Sequence, residues 1–292
     1  MEFKVFSSIA DCKRIWQSFS SNQYLFDNWN YRTSFFDKKE SEPHFIVGKE
    51  NGRLKALVPL LRNKETNDYS YYGGWFPERN SIFMNDKTKI KELLEKCPDQ
   101  THIEGISPNE GKYFKFSEDE YTYYIDLDKY SCNFDNYFNS FGKKKKKNFT
   151  RELRAIPKHR TYRNRLTDFK RLVDLSLRQF GIDSIYAKES IRNGIFKTIK
   201  LAQKKGMLEM ISVEIRGKTE AIDVGIRHGS CYSVVTGSSN NEKIPNIGKL
   251  LTVLSIKNAI AKKARYVDFL ASSGYWKNFW GFEKEMLLKF DK

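Results

Sequence analysis

Ile244-Pro245-Asn246-Ile247-Gly248-Lys249-Leu250-Leu251 is the stretch on which the fold turns. An apolar run, Cys231 to Thr236, and a polar loop, Gly237 to Lys243, precede it; Tyr266-Val267-Asp268-Phe269-Leu270 follows some fifteen residues after it. The pattern predicts a strand, a loop shaped by Pro245 and Gly248, a helix from Asn246 to about Lys263, and a strand directly after it. A helix start carries backbone N–H groups without intrahelical partners, and its dipole favours anions. Glycine lets a ligand approach the backbone closely. Asn246, Ile247, Gly248, Lys249 and Leu250 are therefore the candidate anchor for a phosphate-bearing ligand.

Working outward, two further strands precede this unit. Leu208 to Ile215 ends at Arg216-Gly217-Lys218, and Ala221 to Arg227 ends at His228-Gly229-Ser230. Upstream, the apolar spacing predicts helices over Thr167 to Phe180 and Lys188 to Lys204. In the first half, residues 9–36 read as one or two helices. Asn51-Gly52 between two apolar runs is a hairpin signal. Tyr69 to Trp75, Thr101 to Ile106 and Tyr121 to Leu127 read as strands, and Lys87 to Lys96 as a helix. Both halves thus mix strands and helices, and the composition shifts after Asp128. The expected division is 1–132 and 133–292.

The charge is concentrated. The 292 residues carry a formal net charge of +16, yet residues 143–171 alone hold thirteen Lys and Arg against Glu152 and Asp168. Phe134, Phe138 and Phe141, then Phe149, Leu153 and Ile156, fall at helical spacing on either side of the lysine run. The run Lys143 to Lys147 therefore sits near a helix start, and Lys143, Lys147 and Arg151 are candidate phosphate contacts. A solvated basic face is the plainer alternative.

Composition excludes several classes. Hydrophobic residues make up 39% and aromatics 15%, with mean hydropathy −0.65. A disordered chain would be poorer in aromatics. Nothing approaches the ~18–20 apolar residues of a membrane span, and Met1 to Phe6 lacks the pattern of a secretory leader, so cytoplasmic residence is the expectation. Cys12, Cys97, Cys132 and Cys231 form no CxxC, and the histidines are scattered, so no metal is expected.

In this order of elements, the chain resembles the GNAT acyltransferase superfamily, and within it the CelD-like (BioF-like) acetyltransferase group. The resemblance is carried by Pro245 to Leu251, by the strand Asp268-Phe269-Leu270, and by Trp276-Lys277-Asn278-Phe279-Trp280. Phe45-Ile46-Val47 through Val58-Pro59-Leu60, then Tyr72-Gly73-Gly74, resembles that group's N-terminal hairpin. The segment Lys143 to Arg154 resembles its basic segment. The fuller pyrophosphate loop of the superfamily, Gln/Arg-x-x-Gly-x-Gly/Ala, is not intact here. The resemblance implies an α/β (mixed α+β) chain of tandem GNAT-like domains, each a mixed, mostly antiparallel sheet flanked by helices. It implies transfer of an acyl group, in particular acetyl, from acyl-CoA to an amine of a small molecule or sugar. The related Fem-type transferases take an aminoacyl group from tRNA, which would suit the basic segment equally. A degenerate fold that only binds nucleic acid or a partner is the non-enzymatic alternative.

Acyl transfer to an amine needs a neutral nucleophile, a polarised carbonyl and a protonated leaving group. Asp223, Glu214 and Asp268 are the carboxylates in candidate positions for a base, and Tyr232 and Tyr275 the candidate acids. Asp268 and Lys277 are also candidate substrate contacts. Each is equally readable as an ordinary strand carboxylate, a satisfied core tyrosine or a solvated lysine.

Overall fold

The computed structural model describes residues 1–271 and 276–292. In chain order the elements are β1 (Glu2–Phe6), α1 (Ile9–Phe19), α2 (Trp29–Thr33), β2 (Ser41–Glu50), β3 (Arg53–Asn63), β4 (Tyr69–Tyr71), β5 (Phe83–Met84), α3 (Ile90–Leu94), β6 (Thr101–Ile106) and β7 (Ser117–Asp126). There follow α4 (Phe134–Asn139), α5 (Lys143–Arg154), β8 (Arg160–Arg163), α6 (Phe169–Phe180), α7 (Glu189–Lys204), β9 (Leu208–Ile215), β10 (Lys218–His228), β11 (Cys231–Ser239), α8 (Ile247–Ala261), β12 (Tyr266–Ala271), α9 (Trp276–Phe279) and β13 (Glu283–Asp291). Strands and helices mix throughout, as the sequence predicts.

The chain forms two compact units, each assembled from separate stretches of the sequence. The first holds Met1–Thr122, Ala271–Asn278 and Lys284–Lys292; the second holds Tyr123–Leu270 and Phe279–Glu283. The division read from sequence is a single cut at 132/133, whereas here the chain's end returns to the first unit.

In the first unit the strands run in the order β1-β2-β3-β4-β6-β13. Asn51 and Gly52 adopt φ of 50° and 74°, the left-handed pair that a two-residue hairpin turn requires, and β2 and β3 pair on either side of them. The core centres on Trp16, which is buried and meets Trp29, Tyr71 and Phe83 edge to face.

In the second unit the order is β8-β9-β10-β11-β12. The pairs are antiparallel up to β11, and β11–β12 is parallel. That change of direction is forced by α8, which carries the chain back so that β12 starts at the same end as β11. One face of the sheet packs Ile211, Val213 and Ala221 against Ile247, Leu250 and Leu251 of α8 and Ile156 beyond α5. A second cluster joins Val253, Ile256 and Ala259 of α8 to Tyr137, Phe149 and Trp280.

The sequence reading omits β1, β5, β8 and β13. The omission of β8 has a plain cause: Arg160-Thr161-Tyr162-Arg163 has no apolar alternation, because it is an edge strand that pairs β9 through its backbone and is mostly exposed. Among the described residues, no helix is long and apolar enough to cross a membrane. Cys12 and Cys97 are buried, and burial pushes each thiol up to about 12. Cys132, by contrast, is exposed.

Candidate functional site

Strands β11 and β12 pair through Cys231–Tyr266, Tyr232–Val267 and Ser233–Asp268 only, although β11 continues to Ser239 and β12 to Ala271. Past Ser233 and Asp268 the two strands part. On the other edge of β11, β10 follows it as far as the pair Ala221–Ser239, with a bulge between Val224 and Gly225. At the parting, Leu270 has a φ of +57°. A left-handed backbone costs a leucine about 1–2 kcal/mol. Asp268 offsets part of that cost: it is buried, and its Oδ1 accepts the Leu270 N–H at 2.9 Å. The backbone at the mouth of the splay is therefore held in place by a side chain.

The loop after β11 leads to the start of α8. Asn246 is the N-cap residue in a left-handed conformation, φ 68°. The Ile247 N–H donates to Ile244 O, and the Lys249 and Leu250 N–H groups donate to Asn246 O. The Gly248 N–H donates to the side-chain Oδ1 of Asn241 at 3.2 Å. The amides of Ile247 to Leu250 thus all have acceptors, three of them backbone and one an exposed carboxamide. A side chain on Gly248 would meet Ser239 Oγ at 3.0 Å and Asn241 Nδ2 at 3.2 Å, so those side chains would have to give way slightly. Lys249 Nζ lies 2.6 Å from Glu152 Oε2 and over the ring of Phe279, 4.6 Å from its centroid.

Helix α5 carries the lysine run on its first turns. Gly142 caps it without a side-chain bond. Each cation in a first turn opposes the helix dipole by about 0.3–1 kcal/mol. Five consecutive lysines there do not serve the helix, and such a local conflict is a mark of function. Lys143, Lys147 and Arg151 are all exposed at spacing of four, so they form one stripe about 12 Å long. Lys145 instead turns over Phe141 and Phe279, 4.0 and 4.8 Å from the ring centroids, and partial burial lowers its pKa. Gly142, Lys143, Lys144, Lys145, Asn148, Glu152 and Phe279 line an open cleft of about 500 Å³.

The carboxylates lie elsewhere. Asp223 on β10 is buried beneath α8, accepts Ser255 Oγ at 2.9 Å, and is pushed up to about 6 by burial, against the opposing effect of that hydrogen bond. Its cross-strand neighbour is Gly237, where a side chain would fall on Asp223 Oδ1 at 2.0 Å. Tyr232 is fully buried; its hydroxyl donates to Glu209 O and accepts from Asn258 Nδ2, and burial raises its pKa well above the ordinary tyrosine value. Asn258 also donates to Glu209 Oε2, while Glu209 Oε1 pairs with Lys262. Glu214 belongs to another group, near Tyr162 Oη at 3.3 Å and Arg165 Nη1 at 3.6 Å. Asp223 and Tyr232 thus share the layer between sheet and α8, while Glu214 does not. Lys277 is buried in the first unit, where its charge acts on Glu120. Tyr275 lies outside the described residues.

The second unit thus holds a parallel strand pair that parts past Ser233 and Asp268, and a helix that starts after the end of β11. Residues 143–278 match the profile of the acetyltransferase (GNAT) domain family. Residues 143–278 thus carry a GNAT acyltransferase domain. No curated protein matches the sequence. Among solved structures, the chain is similar to one titled as FemX, with 13% identity and a TM-score of 0.61, covering 99% of this chain and 96% of that one. It is also similar to a tandem GNAT protein from the clavulanic acid biosynthesis pathway, at 9% identity and a TM-score of 0.56, covering 99% and 98%. A third is L-PGS from Bacillus licheniformis, at 11% identity and a TM-score of 0.56, covering 97% and 91%. At these identities the likeness is one of fold.

Three functional candidates in the second unit escape a reading of the sequence. Asn241 and Glu152 occupy the two groups, the Gly248 amide and the Lys249 ammonium, that the sequence offers to a ligand. Phe279 floors the lysine cleft. The one available signal is that Glu152 is the lone acid between Lys143 and Lys158.

Proposed function

We propose that the protein is an N-acyltransferase that takes an acyl group, in particular acetyl, from acyl-CoA and delivers it to an amine of a small molecule or sugar. The observation that carries this reading is the parting of β11 and β12 after Ser233 and Asp268. Where β12 leaves β11, the edge of β11 past Ser233 faces a slot that suits an extended thioester arm, and backbone N–H groups there can polarise its carbonyl. In this reading each compact unit is a GNAT-like module, and the second binds the donor. The phosphates of the carrier meet Lys249 and the start of α8, with a phosphate oxygen taking the place of the Asn241 carboxamide on the Gly248 N–H. Asp223, with its raised pKa, is a base of suitable strength near neutral pH, and Tyr232 and Tyr275 are the candidate acids. Asp268 holds the slot open through Leu270.

The test is calorimetry with CoA and acetyl-CoA, followed by a turnover assay with a panel of amines. Micromolar binding that Gly248→Asp weakens at least ten-fold is expected. Absence of binding, in a folded protein, removes the reading.

The exposed stripe of Lys143, Lys147 and Arg151 favours one second reading, an aminoacyl-tRNA donor of the Fem type. A stripe of this length matches an RNA backbone better than a single pyrophosphate, and its binding falls steeply with salt. Replacing all three by Gln should then reduce tRNA affinity and flatten its salt dependence by about two contacts' worth. Unchanged tRNA affinity with a flat salt slope eliminates this second donor.

A further inference from the structure

The basic segment contains its own counter-ion. From Lys143 to Lys158 the sole acidic residue is Glu152. It lines the lysine cleft, yet it bonds none of the lysines of its own helix. Its Oε2 takes Lys249 Nζ at 2.6 Å, from the first turn of α8, 97 residues away in sequence. Both side chains are about a quarter exposed. Among the described residues Lys249 has no second carboxylate within ion-pairing distance, and its remaining neighbours are the rings of Phe149 and Phe279.

We propose that Glu152 is a stand-in for the donor's phosphate: it occupies Lys249 in the free protein and is displaced when donor binds. This deepens the reading given above and rests on it, since it requires a phosphate to meet Lys249. The chemistry sets a charge threshold. A partly exposed ion pair is weak and exchangeable. A ligand carboxylate that replaced Glu152 would exchange one monoanion for another and gain nothing. A phosphate monoester or pyrophosphate brings more charge and more acceptor oxygens, so it gains in the exchange. Displacement also turns Glu152 away from Lys249, so the bound phosphate meets Lys249 and the cleft lysines together. Glu152 is thereby a specificity residue that excludes small carboxylates from a strongly basic cleft. The pyrophosphate of CoA meets this threshold; a single phosphodiester of a tRNA is itself a monoanion and gains only when its neighbours reach the cleft lysines.

The experiment is isothermal titration of wild type, Glu152→Gln, Lys249→Met and the double variant with inorganic pyrophosphate, CoA and deacylated tRNA, with thermal melting to confirm folding. The expected result is that Glu152→Gln binds pyrophosphate about two- to five-fold more tightly, the range of a weak pair removed. The gain should disappear in the Lys249→Met background, because Glu152 acts through Lys249. The CoA and tRNA arms show which carrier the same gain follows. If Glu152→Gln binds no more tightly while Lys249→Met still weakens binding, Glu152 is a strut and the inference falls, with the donor reading intact. If the gain persists without Lys249, Glu152 acts only as a general negative charge, and the inference falls likewise. If no variant binds any of the three, the donor reading falls and takes the inference with it.

Discussion

Each unit contains a short parallel strand pair joined through a loop and a helix, and the two differ in what becomes of the loop. In the first unit β4 and β6 pair through Tyr69–Thr101 and Ser70–His102 only. The loop after β4 then folds back along β6. Asn80 bridges Ile106; its N–H donates to Gly105 O at 2.7 Å, the Ser107 N–H donates to its carbonyl at 2.8 Å, and its side chain donates to Glu104 O. The chain's own backbone completes the edge of β6. The fully buried Arg32 locks that loop by donating to Tyr72 O, Asn80 Oδ1 and Phe26 O. In the second unit the loop Asn240 to Asn246 turns instead to cap α8, and among the described residues no isolated bridge completes the edge of β11 past Ser233. One topology yields a closed module in the first case, and in the second a module whose strand edge past Ser233 has no bridging segment among the described residues. Closure by the chain itself fits a structural role, and the contrast can be tested at each end.

The largest effect should come from the closed module. Arg32→Leu leaves three buried oxygen acceptors without a donor, each worth about 1–3 kcal/mol, so a loss near 4 kcal/mol is expected in urea unfolding. Affinity for CoA or tRNA in the remaining folded protein should not change. A fall in ligand affinity at constant folded fraction would show that the first unit takes part in donor binding, and would break the comparison.

Next comes the open module's buried polar layer. A side chain at Gly225 would lie 2.3 Å from Tyr232 Oη and 2.4 Å from its Cζ. The tyrosine is anchored to Glu209 and Asn258 and cannot move freely. Gly225→Ala should therefore cost about 3 kcal/mol, at the upper end of overpacking. A thermal shift of only a degree or two would mean that Tyr232 is less fixed than its hydrogen bonds indicate.

Much of this contrast was legible beforehand, and its limits have physical causes. The hairpin at Asn51-Gly52 and the strands Leu208–Ile215 and Thr101–Ile106 follow from local rules, since turn chemistry and alternation act over a few residues. The order β11–loop–α8–β12 is local too, and with it came the family. What stayed hidden depends on pairings far apart in the chain. Asn80 becomes a strand partner only because β6 offers it an edge. Glu152 meets Lys249 only after α5 and α8 pack together. Asn241 is an unremarkable loop residue until Gly248 comes within reach of it. The side chains also read equally well in two ways. Asp223 is a base in one reading and a buried carboxylate held by Ser255 in the other, and both describe the same atoms.

The pH dependence separates those two. Burial raises Asp223 from its ordinary value to about 6. The folded protein therefore keeps this proton where the unfolded chain has lost it, and stability falls as pH rises from about 4 to about 6. Above that window the full penalty stands, roughly 2–3 kcal/mol. Asp223→Asn should thus be more stable than wild type at pH 7.5 and equal to it at pH 4. If Asp223 is also the base, wild-type turnover should rise with an apparent pKa near 6 and the variant should lose it. Stability gained with turnover retained would leave Asp223 a structural carboxylate.

The smallest effect is the most pointed, because stability and binding should move in opposite directions. Lys143 and Lys144 stand in the first turn of α5, where the dipole disfavours cations and no side chain caps the helix. Replacing both by Glu turns an unfavourable term into a favourable one, so the protein should gain about 1 kcal/mol. The same change puts two carboxylates at the mouth of a cleft proposed to take phosphate, and affinity for pyrophosphate should fall at least ten-fold. In the first unit, a charge reversal at an exposed lysine such as Lys115, just before β7, should move neither quantity by much, since no helix dipole or cleft is involved. If the α5 variant is no more stable and binds as before, the lysine run is an ordinary solvated face. If it is more stable and binds less, the chain has kept a destabilising charge where only a ligand can use it, and that is the sense in which the second unit is open and the first is not.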